Sequence, residues 1–348
     1  MRVVKPLYTV PSMRSIKAIR WNGFNVVTTF AGGGGSSLGY RMAGFKILYA
    51  NEFIEAARDT YNANKSLDTF LDPSDIREID AEHIKNKIGD KQIDILDGSP
   101  PCASFSTSGR RNKLWGQVKL YSDAKQRTDD LFYEYIRILK GLQPRAFIAE
   151  NVSGLVKGTS KGYFLDILQQ LKNTGYQVSV KVLDAQRLGV PQVRKRVIFI
   201  GIRNDLKRCP KHPKPLKYVY TLADALDIVK PEINSEAEFD EYALAKKWDS
   251  LSLGEQHKKN FDLIRCHPHR PVPTVVAIGG RGAIPSVTHP FERRKFYIQE
   301  LKAICSFPQD FKLLGNYKQQ YERLGRAVPP IMMRHIASAV RDTLNENS

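Results

Sequence analysis

The stretch FNVVTTFAGGGGSSLGY, residues 24–40, decides how this chain folds. Phe24 to Phe30 is apolar and β-branched, the make-up of a buried strand. It runs straight into Ala31-Gly32-Gly33-Gly34-Gly35-Ser36-Ser37, after which Leu38-Gly39-Tyr40 opens a helical pattern. A strand, a glycine loop and a helix start, in that order, make the first half of a β-α-β unit. Glycines let a backbone approach a ligand closely, and a helix N-terminus presents N–H groups without internal partners. The loop lacks GxxxxGK[ST], which excludes a phosphate-gripping loop with a catalytic lysine. Alone it points weakly to a nucleotide-like cofactor.

Further strands are expected at Lys46 to Ala50, Thr69 to Leu71, Ile93 to Leu96, Ala146 to Glu150, Gln177 to Leu183 and Val197 to Ile202. Helical stretches fit between them, for example Leu131 to Leu142 and Tyr163 to Asn173. This alternation predicts an α/β fold with a doubly wound parallel sheet. The second strand ends in Asn51-Glu52-Phe53, where an acid can accept from ribose hydroxyls. The third ends near Asp72 and leads into Ser74-Asp75-Ile76, where Asp75 suits an adenine amine. Either acid alone would more often be a solvated loop residue. Glycine, Glu and Asp at three successive strand ends together favour an adenosine site.

The fourth strand leads into IDILDGSPPCASFS, residues 93–106. Asp97-Gly98 brings turn chemistry, and Pro100 and Pro101 fix φ twice and remove two donors, so neither helix nor central strand continues. Cys102 is left on a stiff segment at the open end of the sheet. A lone cysteine is usually a buried, inert small side chain. Here Ser104, Ser106, Ser108 and Gly109 follow, then Arg110, Arg111 and Lys113, and positive charge favours the thiolate. Cys102 is read as a nucleophile.

With 54 Lys and Arg against 36 acidic residues, the net charge of +18 predicts a polyanionic partner, most simply nucleic acid. The alternative is a basic protein that is merely soluble. Four cysteines lie far apart with no CxxC pair, which fits neither a zinc site nor a disulfide framework and suggests a reducing compartment. No apolar run reaches the roughly eighteen residues of a membrane span, and no signal-peptide core follows the basic residues near the N-terminus. A cytoplasmic, non-membrane protein is expected. From Arg203 to about Arg270 the text is rich in Lys, His and Pro with poor periodicity, like a separate irregular module. Helical spacing returns in Tyr297 to Ser306 and in Ile331 to Leu344.

Taken in order, these motifs resemble the cytosine-5 DNA methyltransferases. The resemblance runs through Phe30 to Gly35, Glu52, Asp75-Ile76, Pro100-Pro101-Cys102 and Glu150-Asn151-Val152. It continues through Gln192, Arg194 and Arg196, then Arg270-Pro271 with Thr274, His289-Pro290, Phe307-Pro308 and Gly325 to Pro329. Two positions depart from the family pattern. Thr28 stands where an acid usually precedes the Phe by two residues, and Arg326 stands where Asn is usual.

The resemblance implies a Rossmann-like S-adenosylmethionine-dependent methyltransferase sheet with a smaller, irregular target-recognition domain. It places the catalytic and cofactor-binding domain at 1–202 and 321–348, target recognition at 203–296 and a hinge at 297–320. The implied cofactor residues are Phe30, Ala31, Gly32, Gly34, Gly35, Glu52, Phe53, Asp75, Ile76, Pro100, Leu131, Ala327 and Val328, with no metal. In the implied mechanism Cys102 adds to carbon 6 of cytosine and Glu150 protonates or bonds ring nitrogen 3, for which its pKa must be raised by burial. Arg196, or Arg194 beside it, holds the cytosine carbonyl and a phosphate, and Asn151 orients the nucleophile segment. The base must be flipped out of the duplex, with Ala103 to Thr128 as the closing loop.

Ser106, Arg110, Arg111, Arg127, Gln192 and Arg281 are the implied DNA contacts. Double-stranded DNA is the expected partner of a monomer, with a separate restriction endonuclease as a family inference. The short N-terminal segment favours a bacterial or phage modification enzyme. A transfer-RNA methyltransferase of the same fold and a catalytically silent DNA-binding relative are the alternatives.

Overall fold

A computed structural model of the chain describes residues 4–101, 119–121, 124–126, 130–157, 161–238, 242–258, 263–277 and 287–346. Cys102, Ser106, Arg110, Arg111, Arg127 and Arg281 lie outside the described residues. The chain divides into two compact units: a sheet unit of Ile19–Leu183, Lys195–Lys214 and Met333–Ser348, and a second unit of Met1–Ala18, Asp184–Arg194 and Pro215–Met332. By compactness, 1–18, 184–194 and 321–332 group with the second unit, which also contains the expected hinge 297–320, and 203–214 groups with the sheet unit.

The elements run α1 (Met13–Lys17), β1 (Asn25–Thr29), α2 (Gly35–Met42), β2 (Lys46–Asn51), α3 (Glu55–Asn62), β3 (Phe70–Asp72), α4 (Ala81–Ile88) and β4 (Ile95–Gly98). They continue through β5 (Lys119–Tyr121), β6 (Ala124–Gln126), α5 (Leu131–Leu142), β7 (Ala146–Val152), α6 (Lys161–Asn173), β8 (Tyr176–Asp184) and β9 (Lys195–Arg203). After these come α7 (Leu222–Leu226), α8 (Tyr242–Asp249), α9 (Ile298–Ile304), α10 (Tyr317–Arg326) and α11 (Pro330–Asn345).

Seven strands form one sheet in the order β3-β2-β1-β4-β7-β9-β8. From β3 to β7 all neighbours are parallel. The wholly parallel sheet expected from the alternation stops there, because β9 runs against β7 from Ala146↔Ile202 to Val152↔Arg196. Parallel neighbours need a crossover, usually a helix. The link 185–194 carries only a 3-10 turn at Ala185–Leu188. In the stretch expected as a closing loop, β5 and β6 pair as a small antiparallel ladder.

β1 and β4 are buried along almost their whole length, as strands covered on both faces must be. Leu131, Phe132, Tyr135, Ile136, Ile138, Leu139 and Leu142 recur at helical spacing and bury one stripe of α5 in this core. Burying such side chains contributes roughly 1.5–3 kcal/mol each against leaving them exposed. The switch in strand order lies between β1 and β4, and in such sheets ligands bind outside the carboxyl ends of the strands there.

The second unit is held mainly by helices and short bridges. Its buried Arg294 is ion-paired to Glu300 at 2.7 and 2.9 Å and stacks over Tyr297 at 3.9 Å. Arg265 lies 4.1 Å over Trp248, whose indole N–H donates to Thr288 Oγ1 at 2.8 Å. Among the described residues no helix is long and apolar enough to cross a membrane.

Candidate active site

The chain leaves β1 through left-handed backbone at Phe30 (φ 53°), Gly32 (φ 55°) and Gly34 (φ 96°). At Phe30 that conformation is costly for a side chain bearing Cβ, so the surroundings must enforce it. One enforcing contact comes from the residue that follows β2: Glu52 Oε2 accepts from the Gly32 N–H at 2.7 Å, while Oε1 accepts from Ile54 N–H at 2.7 Å. The buried Glu52 carboxylate therefore shapes the glycine loop it faces. A side chain at Gly32 would meet nothing within 4 Å, so open space lies beside this backbone. Phe53, the next residue, is 39% exposed.

Asp75 is half-buried beyond β3 and pairs with Arg77 at 3.0 Å. Arg77 also bonds Asp130, the residue before α5, at 2.8 Å. Ile76 and Leu131 are buried, and Arg137 donates to the Ile76 carbonyl at 2.8 Å. The carboxylate read as an adenine acceptor thus has an arginine partner two residues further along, which no motif marks.

Beneath the glycine loop lies a second missed residue. Asp97, read as turn chemistry, is 1% exposed and accepts from Ser36 Oγ at 2.8 Å, Thr28 Oγ1 at 3.0 Å and Tyr40 OH at 3.2 Å. Burial raises its pKa to about 6, against the lowering effect of these hydroxyls. Thr28 and Asp97 are direct partners in the β1–β4 register. The acid that the family pattern puts at position 28 is absent, and one stands across the strand pair instead. The signal was an aspartate inside the apolar run Ile95 to Gly98. Gly98 follows because any side chain would come within 2.5 Å of the Tyr135 ring.

At the end of β7, Glu150 is buried and its Oε1 lies 2.8 Å from Arg196 Nε on β9. Burial lowers the Arg196 pKa while the Glu150 carboxylate raises it again. Asn151 Nδ2 donates to the Pro100 carbonyl at 3.1 Å, and its Oδ1 accepts from Val152 N–H at 2.9 Å. The segment entering Cys102 is therefore tied to the strand that presents Glu150.

The remaining expected residues lie in the second unit. Arg194 is buried, with Nη1 donating to the Val275 carbonyl at 3.1 Å and Nη2 to the Gly325 carbonyl at 3.0 Å. Gln192, expected at DNA, is also buried; its Nε2 meets Cys305 Sγ at 3.3 Å and its Oε1 accepts from Val275 N–H at 3.3 Å. Arg326 pairs with Glu322 one turn earlier at 2.7 Å, and Ala327 and Val328 follow the end of α10. No group of three His, Cys, Asp or Glu able to hold a metal occurs among the described residues.

A largely parallel sheet with a glycine loop at its switch point and acids beyond the next two strands is the arrangement of a domain that binds a nucleotide-like ligand at the carboxyl ends of its strands. Residues 24–342 match the family model of the C-5 cytosine-specific DNA methylases, and the chain belongs to that family. It is 30% identical to the Type II methyltransferase M.NgoPII of Neisseria gonorrhoeae, over 95% of this chain and 99% of that protein. It is 29% identical to M1.HphI of Haemophilus parahaemolyticus, over 96% and 91%. Its fold matches a prophage-encoded DNA modification methyltransferase of E. coli with a TM-score of 0.75 at 23% identity, over 93% of this chain and all of that one. A variant of DNMT2 from Spodoptera frugiperda matches with a TM-score of 0.66 at 20% identity, over 93% and 100%. Family and fold imply use of S-adenosylmethionine.

Proposed function

We propose that this chain methylates carbon 5 of cytosine in a specific duplex DNA sequence through a covalent adduct at Cys102. One observation carries the reading: Asn151 bonds the Pro100 carbonyl at 3.1 Å while its neighbour Glu150 is paired with Arg196 at 2.8 Å. A nucleophile segment and an acid are thereby held by adjacent residues of one strand. The glycine loop fits the implied donor, because Gly32 leaves open space beside a backbone that Glu52 fixes. Glu52 and Asp75 would hold its ribose and adenine, and S-adenosylmethionine bound there would supply the methyl group.

Cytosine carbon 5 is a weak nucleophile. Addition of Cys102 Sγ to carbon 6 forms one bond and shifts the ring electrons toward carbon 5 and nitrogen 3. Glu150 bonds or protonates nitrogen 3 as this charge develops, and Arg196 steadies Glu150 and the cytosine carbonyl. Once carbon 5 carries the methyl group, its proton passes to water and the bond from Cys102 Sγ to carbon 6 breaks, so the thiolate leaves and the carbon 5–carbon 6 double bond is restored. Carbon 6 is unreachable inside a duplex, so the base is flipped out at a cost of a few kcal/mol that phosphate contacts offset. The charge of +18 suits that demand. The irregular 203–296 region reads the sequence.

The relatives named as Type II methyltransferases favour a role in restriction-modification or host and phage DNA protection. Label transfer from methyl-tritiated donor to duplex DNA, with transfer RNA as comparison, tests the reading. Labelled 5-methylcytosine in the duplex is expected, and label in transfer RNA alone would overturn it.

A further inference from the structure

Asp97 has no place in the mechanism above, yet it is the most enclosed carboxylate at the switch point of the sheet. Its side chain gathers hydroxyls from β1 (Thr28) and from two turns of α2 (Ser36 and Tyr40). These residues flank the glycine loop on both sides, and Asp97 itself stands on the strand that leads to Pro100 and Cys102. A buried carboxyl is costly unless its hydrogen bonds are made, and here three hydroxyl donors make them. Nothing in strand packing asks for it, since Ile95 and Leu96 fill the same strand with apolar side chains.

We infer that Asp97 is a positioning residue of the methyl-donor site, clasping both ends of the glycine loop to β4 so that donor and nucleophile segment share one frame. It acts through Ser36 and Thr28 and does not touch the reacting atoms. Because Thr28 and Asp97 are register partners, the same clasp can be built with the acid on the other strand.

This inference rests on the methyltransferase reading, and direct donor binding separates the two. Calorimetric titration of S-adenosylmethionine into the full chain is the first arm; no binding by wild type would sink the functional reading itself. If wild type binds, Asp97→Asn is expected to weaken the donor about tenfold or more. The KM for donor should rise by more than kcat at saturating donor falls, with duplex affinity nearly unchanged. Ser36→Ala, which removes one donor and leaves the carboxyl, is expected to move in the same direction by less. The transposed pair Thr28→Asp with Asp97→Thr is expected to recover most of the donor affinity, which a role in packing alone would not predict. Wild-type donor affinity in both Asp97→Asn and Ser36→Ala, or a transposed pair that melts like wild type and recovers nothing, overturns the inference.

Discussion

Arg194 and Arg196 stand two residues apart, both largely buried, one on each side of the point where the chain passes from the second unit to the sheet unit. Arg194 spends its guanidinium on two neutral carbonyls, Val275 and Gly325. Arg196 faces a carboxylate, Glu150, at the end of β7. The first arrangement fastens a loop to a helix end. The second is an ion pair in which either partner can trade its bond for one to an incoming polar ring. Burial and charge are alike at the two positions, and the proposed division of labour between them rests on the chemistry of the partner.

The comparison breaks most sharply at Arg196. Arg196→Ala leaves Glu150 buried without its cation, a cost of about 3–5 kcal/mol for such pairs. Steady-state methylation is expected to lose at least about a hundredfold in kcat/KM. A double-mutant cycle with Glu150→Gln should show strong coupling, and additive losses would mean the two do not act as a pair. Arg194→Met strands two carbonyls at about 1–3 kcal/mol each, which thermal melting should report as a lower Tm. Its kcat per folded molecule is expected to stay close to wild type; a loss matching that of Arg196→Ala would erase the distinction.

A smaller effect concerns pH. Burial brings the Asp97 carboxyl to about 6 among Tyr40, Tyr61, Tyr135 and Glu150, above the ordinary carboxylate value near ~3.9. The folded state thus prefers the protonated form, whose stabilising contribution is complete below that ordinary value and is lost as pH rises through about 6. The melting temperature of Asp97→Asn relative to wild type is expected to climb between pH 4 and 7, by on the order of 2–3 kcal/mol in stability. A difference that stays flat with pH would place Asp97 in the ordinary carboxylate range.

Local patterns were readable wherever one element carried them. The apolar stripe of Leu131 to Leu142 defined α5 to the residue, and β2 and β7 begin where the alternation put them. The direction of β9 was not readable, because it depends on what the link 185–194 fails to contain. Glu150 and Arg196 were each singled out by motif order, but their ion pair was not, and neither was the enclosure of Gln192 and Arg194. Both take their partners from residues about eighty or more positions away, a separation no local pattern reports. Asp97 was passed over for the same reason. Its hydroxyl donors come from β1 and α2, and only the sheet register brings them together.

The claim on which the account turns is a covalent bond from Cys102 to the ring. Duplex DNA carrying 5-fluorocytosine at the methylated position blocks loss of the carbon-5 substituent after methyl transfer. Incubation with the protein and S-adenosylmethionine, followed by denaturing electrophoresis and peptide mass analysis, is expected to give a protein–DNA adduct on Cys102. Cys102→Ala should form none and should not methylate, while still binding duplex. Methylation of normal DNA by wild type without any trapped adduct, or by Cys102→Ala, would contradict the account.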